Sequence, residues 1–204
     1  MDPGGQTSAT LLDRLRNTTD SDAWERFATF YQPVIYRYAK RCGCSDQMGW
    51  DIVQETLVDL LSIMPAFEYD QTRGRFRAFL HRVVRHRVLC AFRRESRYVN
   101  EADGASTEGL LVNDETGADI VAARWEEEWQ RQLLSAALKK LQQHTQPRTF
   151  QAFRAYVLEG RPVDDVCTEF ALEPNALYQI RHRLVERLKQ VVEGLESDLE
   201  SSSG

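Results

Sequence analysis

Apolar residues recur at spacings of three and four along most of the chain, which is the period of a helix with one buried face. No stretch alternates apolar and polar residues long enough to predict a strand. We therefore predict an all-α fold, with a proline at position 33 that divides or kinks the second helix. The pattern predicts helices over residues 10–17, 23–42, 45–64, 73–97, 119–143, 147–159, 162–170 and 174–195.

The longest break in the helical period is residues 98–117, where Gly, Asp, Glu, Asn, Ser and Thr predominate. This composition is typical of a flexible acidic linker. We predict a helical domain over residues 1–97, a second helical domain over 118–195, and a disordered acidic tail over 196–204. In the second domain, a short helix from Pro162, a three-residue turn and a longer helix from Pro174 form a helix-turn-helix pattern.

Charge is distributed unevenly along the 204 residues, although the net charge is only −5. The helix over residues 73–97 carries nine arginines and one acid, Glu95, and residues 99–128 carry a net charge of −8. Such a density of Arg favours a nucleic-acid partner; the alternative is a solvated basic face. One hypothesis is that the acidic block folds back on the basic helix in the free protein and competes with DNA. The alternative is a linker whose charge only prevents aggregation.

The second helix of the helix-turn-helix pattern is the one that enters the major groove in proteins of this kind. Arg pairs with guanine and Asn or Gln with adenine in bidentate fashion. An ordinary helical hairpin with a solvated face is the alternative. The candidate base-reading and phosphate-binding residues are Asn175, Tyr178, Gln179, Arg181, His182, Arg183 and Arg187.

A second candidate site is the stripe of Asp51, Glu55 and Asp59 on the helix over 45–64, flanked by Gln54. Like charges at a spacing of four weaken an isolated helix, so this face is either solvated or kept for a basic partner.

The sequence contains no constellation that predicts catalysis. A Gly-rich phosphate loop, a serine elbow and a pair of Glu-x-x-His motifs are all missing, so we expect no cofactor, no metal and no enzymatic activity. Four cysteines do not make a disulfide scaffold, and the Cys42–Cys44 pair has no neighbouring ligands for zinc. With no membrane span and no signal sequence, we expect a cytoplasmic protein without membrane insertion.

Four segments resemble bacterial sigma factors of the sigma-70 family, specifically the extracytoplasmic-function (ECF) class. The segments are DAWERFATFYQPVIYRYAKRCG, DIVQETLVDLL, FEYDQTRGRFRAFLHRVVRHRV with the FRR that follows, and LEGRPVDDVCTEFALEPNALYQIRHRLVERL. The pairing of Asp-x-x-Gln-Glu with a downstream Gly-Arg-Phe-Arg-Ala-Phe-Leu is fairly specific. The helix-turn-helix alone would not be.

The resemblance implies a role for each surface. Asp51, Gln54, Glu55 and Asp59 would dock on the clamp coiled coil of core RNA polymerase. The helix from Pro174 would read the −35 element of promoter DNA, and an anti-sigma factor is a partner of many members. The −10 element would be read and opened by Phe67, Tyr69, Arg75, Phe76, Arg77, Arg82, Arg85, His86, Arg93 and Arg94.

Two residues depart from the family pattern. His86 stands where many members have Asn, which leaves the identity of the −10 bases open. Trp50 precedes the Asp-x-x-Gln-Glu motif where a small or acidic residue is common, and it either extends a core-facing patch or contacts polymerase.

Two other functions fit parts of the sequence. One is a stand-alone helix-turn-helix regulator, and the other is a nucleic-acid enzyme that uses Asp51, Glu55 and Asp59 with metal ions. Two different basic surfaces on one chain favour the sigma factor, because a regulator would more commonly repeat one reader by symmetry.

Overall fold

The computed structural model describes the backbone of residues 11–67, 76–103 and 115–200, and the side chains of 11–67, 76–96 and 122–199. Within these ranges the protein is all-α, as predicted, and contains no strand. The chain forms two compact units: Met1–Gln132 with Asp198–Gly204, and Leu133–Ser197. No helix in the described part of the chain is both long and apolar enough to cross a membrane.

The described residues form eight α-helices, joined by loops, one 3₁₀ turn and one π turn. Met64–Ala66 is the 3₁₀ turn and Arg154–Leu158 is the π turn. The helices are α1 Leu11–Leu15, α2 Ser21–Arg41, α3 Asp46–Ile63, α4 Phe76–Asp103, α5 Glu115–Gln143, α6 Pro147–Phe153, α7 Val163–Glu169 and α8 Pro174–Glu200.

Helix ends in the first unit follow the capping residues of the sequence. Asp20 accepts a hydrogen bond from the Ala23 amide at the start of α2, and Ser45 accepts one from the Met48 amide at the start of α3. Gly43, at φ +94°, takes the left-handed conformation that ends α2.

Pro33 lies inside α2, which is one continuous helix of 21 residues. Of the two alternatives for Pro33, the division into two helices is therefore wrong. Proline removes one backbone hydrogen bond, but Phe30, Tyr31, Val34 and Ile35 around it are all buried. Burial of four large side chains on one face outweighs the lost bond, since each contributes roughly 1.5–3 kcal/mol.

The core of the first unit is aromatic. Phe76, the first residue of α4, lies within about 6 Å, centroid to centroid, of Phe27, Tyr31 and Phe67. Phe79 also contacts Phe67 and Phe76. This cluster joins the start of α4 to α2 and to the end of the 3₁₀ turn.

Helix α5 differs from the expected domain boundary. Its residues up to Gln132 belong to the first unit, whereas the sequence pattern had placed 118–143 wholly in the second domain. The predicted linker also overlaps two helices, since α4 continues to Asp103 and α5 begins at Glu115. Hydrophobic period does not identify such helix ends, because they lack an apolar stripe.

The second unit is built on two apolar clusters. Leu141, Phe150, Phe153 and Leu184 join α5, α6 and α8. The second cluster places α7 against the start of α8, and its buried members are Ala152, Ala155, Val166 and Leu177.

The turn between α7 and α8 closes without glycine. Ala171 adopts φ +43°, and the Leu172 amide donates to the Cys167 carbonyl at 3.0 Å. Arg148 of α6 donates to the Phe170 carbonyl at 2.7 Å, which anchors the turn. A left-handed alanine is strained by its Cβ, so this position carries a cost that glycine would avoid.

We expect Ala171→Gly to raise the free energy of unfolding of the second unit by about 0.5–1 kcal/mol, because it relieves the left-handed strain. Urea denaturation followed by circular dichroism measures the change. The matched control, Ala136→Gly inside α5, should lower stability by about 1 kcal/mol. If both substitutions lower the free energy of unfolding, the left-handed conformation of Ala171 is not strained.

Candidate nucleic-acid and protein interfaces

Five arginines among the described side chains of α4 fall into two groups that the sequence alone does not separate. Arg82, Arg85, His86 and Arg93 are exposed along one face of the helix. Successive members are three, one and seven residues apart, so this face presents three guanidinium groups and one imidazole over about three turns. A row of guanidinium groups at this spacing suits successive phosphates of a nucleic-acid strand.

The second group of arginines is bound within the first unit. Arg87 makes two hydrogen bonds to the carboxylate of Asp59, and its Nη1 lies 3.2 Å from Glu55. Arg94 donates to both oxygens of Glu55 at 2.8 and 2.9 Å. Two of the three acids of the α3 stripe, Glu55 and Asp59, are therefore paired with arginines of α4.

Arg77 and Phe76, both expected at the −10 surface, are turned inward. Phe76 is 1% exposed and belongs to the aromatic core, so it offers no surface to a base. The Arg77 guanidinium lies 4.3 Å from the ring centroid of Trp129 and 3.1 Å from Glu126. Both positions lie against neighbouring helices, so the structure gives no support to a −10 contact by either side chain.

The other aromatic candidates lie near this core or outside the description. Phe67 is half-buried against Phe76 and Phe79. Tyr69 and Arg75 lie outside the described residues.

The outward face of α3 carries exposed apolar residues in addition to the acidic residues of its motif. Trp50 is 49% exposed, Val58 61% and Leu61 42%, and Gln54 is exposed between them. Positions 50, 54, 58 and 61 follow the helical period, so they share one stripe. Asp51 is exposed beside this stripe and accepts a hydrogen bond from Gln47 at 3.0 Å. An exposed apolar stripe with a polar rim marks a protein-interaction site.

Trp50 stacks one ring face on Tyr36 of α2, with the centroids 4.7 Å apart. The preceding residue, Gly49, lies so close to Tyr36 that a Cβ there would be 3.1 Å from the ring. The close approach of α2 and α3 therefore supports Trp50 on the surface without burying it. Trp50 is part of the outward face of α3 rather than of the core.

Helix α8 presents its first two turns to solvent. Asn175, Tyr178, Gln179, Arg181, His182 and Arg183 are all exposed, while Leu177 and Leu184 are buried against the unit. Tyr178 also makes an edge contact with Tyr156 at 6.2 Å. Arg187 donates to the His144 carbonyl at 3.3 Å, so this side chain also links α8 to the end of α5.

Residues 124–132 of α5, here called the acidic segment, lie against α2 and α4 within the first unit. Glu128 is only 1% exposed at its side chain, and its carboxylate contacts Arg37 at 2.8 Å, Arg41 at 3.2 Å and Arg131 at 2.9 Å. Glu127 pairs with Arg41 at 2.6 Å. Trp125 and Trp129, which fall within the predicted second domain over residues 118–195, are buried here.

A buried polar contact lies beneath the acidic segment. Tyr38 of α2 lies 3.0 Å, oxygen to Nε2, from His81 of α4, and Trp125 stacks on the His81 ring with centroids 5.4 Å apart. Burial, reinforced by nearby Arg85, lowers the pKa of His81 to about 4. Burial also raises the pKa of the Tyr38 phenol. The pair is therefore neutral at pH 7.

The cysteines and acids suggest no chemistry of their own. Burial raises the pKa of Cys42 and of Cys44, the latter to about 11, which disfavours the reactive thiolate. In the described part of the chain, no three His, Cys, Asp or Glu residues are grouped as metal ligands.

These helices define an all-α protein with a basic helix in its first unit. The family model for sigma-70 region 2 matches residues 27–98, from α2 into α4. Residues 27–98 are therefore similar to sigma-70 region 2, in agreement with the resemblance seen in the sequence.

The other comparisons give less information about this chain. No curated protein matches the chain. Among solved structures, the chain is similar to one in the 1.8 Å structure of the RsbN–BldN complex, at 18% identity and a TM-score of 0.34. The match covers 88% of this chain and 98% of that one.

The pKa of His81 predicts a pH dependence of stability. Between pH 6.5 and about 4 the unfolded chain takes up a proton at His81 that the folded chain does not, so stability falls as the pH falls through this window. Urea denaturation at pH 7, 5.5 and 4.5 should show a steeper decline for the wild type than for His81→Gln, which retains a partner for Tyr38. If the stability of the two proteins declines in parallel, His81 is not the group responsible for the pH dependence.

The division of the α4 arginines is testable by a pair of matched substitutions. Arg87→Ala should lower the free energy of unfolding by about 1–3 kcal/mol, because it leaves Asp59 and Glu55 half-buried without this charge-assisted partner. Arg82→Ala, one exposed side chain on the same helix, should change stability by less than about 0.5 kcal/mol. If the two substitutions change stability equally in thermal or urea denaturation, the division of the α4 arginines into a paired and an exposed group is wrong.

Proposed function

We propose that the chain is a sigma factor of the ECF class, a dissociable subunit that binds core RNA polymerase and directs it to promoters. The observation that carries the proposal is the sigma-70 region 2 of residues 27–98, whose last helix presents an exposed row of cations. Such a subunit performs no chemistry itself; polymerase does. An anti-sigma factor is a further partner, on the basis of the family resemblance.

The docking surface for the polymerase clamp is the outward face of α3. Asp51 and Gln54 supply its polar contacts, and the exposed Trp50, Val58 and Leu61 supply apolar area that a coiled coil can cover. Glu55 and Asp59 then act mainly through Arg87 and Arg94, by holding α3 in place on α4. Their substitution would disturb the fold as well as docking.

The −10 element is held by the exposed face of α4. Arg82, Arg85 and Arg93 contact phosphates of the opened strands, an attraction that weakens steeply with salt. His86, at the centre of this row, is within reach of a base and takes the place of the family's Asn. Tyr69 and Arg75 remain part of the proposal, while Phe76 and Arg77 act inside the fold. Stacking of an extruded base on an aromatic ring contributes about 1–3 kcal/mol.

The −35 element is read by the start of α8. Arg181 and Arg183 match guanine edges, and Asn175 and Gln179 match adenine edges, in the major groove. Tyr178 and His182 lie on the same exposed surface and complete the contact. Arg187 contacts the DNA backbone rather than a base edge, since its guanidinium also donates to the His144 carbonyl.

A stand-alone helix-turn-helix regulator is the second candidate, and the exposed start of α8 favours it equally. The two functions differ in what binds promoter DNA. A regulator binds duplex DNA tightly by itself, whereas a sigma factor requires polymerase. The exposed stripe on α3 favours the sigma factor, because a regulator has no need of it.

The decisive experiment reconstitutes the full chain with core RNA polymerase. A promoter selected from random DNA by the holoenzyme should support run-off transcription only when both are present. Asp51→Lys should weaken polymerase binding at least about tenfold, since it reverses a charge at the edge of the interface. Glu25→Lys, which makes the same charge change at an exposed position of α2, should leave polymerase binding unchanged.

The outcomes separate the candidates. Full binding by Asp51→Lys would place docking elsewhere on the protein. Tight binding of the selected duplex by the chain without polymerase would favour the regulator.

A further inference from the structure

Tyr178 lies at the centre of the exposed face at the start of α8. Asn175 lies three residues before it, and Arg181 and His182 lie three and four residues after it, so these side chains share one side of the helix. Tyr178 is 48% exposed, whereas the preceding Leu177 is buried. The neighbours of the ring on this face carry an amide, a guanidinium and an imidazole. Tyr178 therefore supplies the apolar part of a face that otherwise forms hydrogen bonds.

A second tyrosine, Tyr156, supports the ring of Tyr178 from outside the helix-turn-helix. The two ring centroids are 6.2 Å apart and the ring planes meet at 64°, which is the favourable edge-to-face arrangement. Tyr156 is half-buried and packs on the apolar cluster that places α7 against the start of α8. The half-exposed ring of Tyr178 is therefore held by a side chain that is itself fixed in the second unit.

Tyr156 belongs to the π turn Arg154–Leu158 rather than to a regular helix. The Glu159 amide donates to the Arg154 carbonyl, five residues earlier, at 3.0 Å. An α-helix closes the same bond four residues back, so the π turn contains one extra residue. Single π turns are rare and are frequently found at functional sites. Here the irregular turn carries the residue that supports the exposed face of α8.

The chemistry of the major groove offers one apolar group to such a ring. Of the groups that base pairs present there, the C5-methyl group of thymine is the one that an apolar side chain recognises. A tyrosine ring has only two side-chain torsions, and a ring that is already restricted loses little entropy when it packs on this methyl group. The neighbouring Asn175 and Arg181 instead suit the hydrogen-bonding edges of adenine and guanine.

We propose that Tyr178 recognises the C5-methyl group of a thymine in the duplex that α8 reads, and that Tyr156 positions its ring. The proposal rests on the reading of DNA by the start of α8, which is part of the proposed function. It does not depend on polymerase docking, because a sigma factor and a stand-alone regulator would use the same face of α8. Failure of polymerase binding and failure of thymine recognition are therefore separate results.

The first test removes single methyl groups from the DNA. The duplex is the one that the full chain with core RNA polymerase selects from random DNA or, if the two do not associate, the one that the chain selects alone. Each thymine in turn is replaced by deoxyuridine, which lacks only the C5-methyl group. Fluorescence anisotropy should show at least one thymine whose replacement weakens binding about fourfold, the effect of one buried methyl group. A duplex in which no thymine behaves in this way would overturn the proposal.

Two substitutions of Tyr178 assign the methyl contact to its ring. Tyr178→Ala should bind the thymine duplex and the deoxyuridine duplex equally, because the methyl group has lost its apolar partner. Tyr178→Phe keeps the ring without the hydroxyl and should retain the difference of about fourfold. If Tyr178→Ala still prefers the thymine duplex, or if Tyr178→Phe does not, the ring of Tyr178 is not the reader of the methyl group.

The role of Tyr156 is tested by the same ratio of affinities. Tyr156→Leu fills the apolar cluster without a ring edge and should reduce the preference for the thymine duplex to less than about twofold, whereas Tyr156→Phe should retain it. A merely structural role would weaken binding to both duplexes equally and leave the ratio unchanged, which would overturn the positioning by Tyr156. Circular dichroism establishes that the variants are folded, and Tyr156→Met replaces Tyr156→Leu if the latter unfolds.

Discussion

The junction of Arg87 with Glu55 and Asp59 sets the arrangement of the first unit. Two carboxylates four residues apart on α3 repel each other, and a single guanidinium between them turns that repulsion into attraction. Arg94 extends the junction by two turns of α4. Because α3 and α4 are fixed in register, the apolar stripe of α3 and the cationic row of α4 are held on one rigid body.

Much of the fold follows from local patterns in the sequence. Helical period and capping residues such as Asp20 and Ser45 determine most helix positions, and both depend only on neighbours along the chain. Phe76 follows the apolar period of the helix over residues 73–97, and its burial at 1% exposure agrees with that period rather than with a DNA-stacking role.

The pairing of charges required the three-dimensional structure. Arg82 and Arg87 are the same residue type on one helix, and only the position of α3 makes one exposed and the other structural. In the same way, Trp125 and Trp129 follow the predicted linker, so chain order assigns them to the second domain. Their contacts with Tyr38 and Phe30 assign them to the first. Long-range contacts of this kind leave no periodic signal.

The stack of Trp50 on Tyr36 gives the protein a built-in optical probe. Trp125 and Trp129 are 3% and 0% exposed and Trp24 is half-buried, whereas Trp50 is half exposed at the start of the α3 stripe. Indole emission depends on solvent contact, so light emitted at the long-wavelength edge originates mainly from Trp50. Binding of a partner to α3 therefore changes the emission wavelength of Trp50, and no label on the chain is needed to detect it.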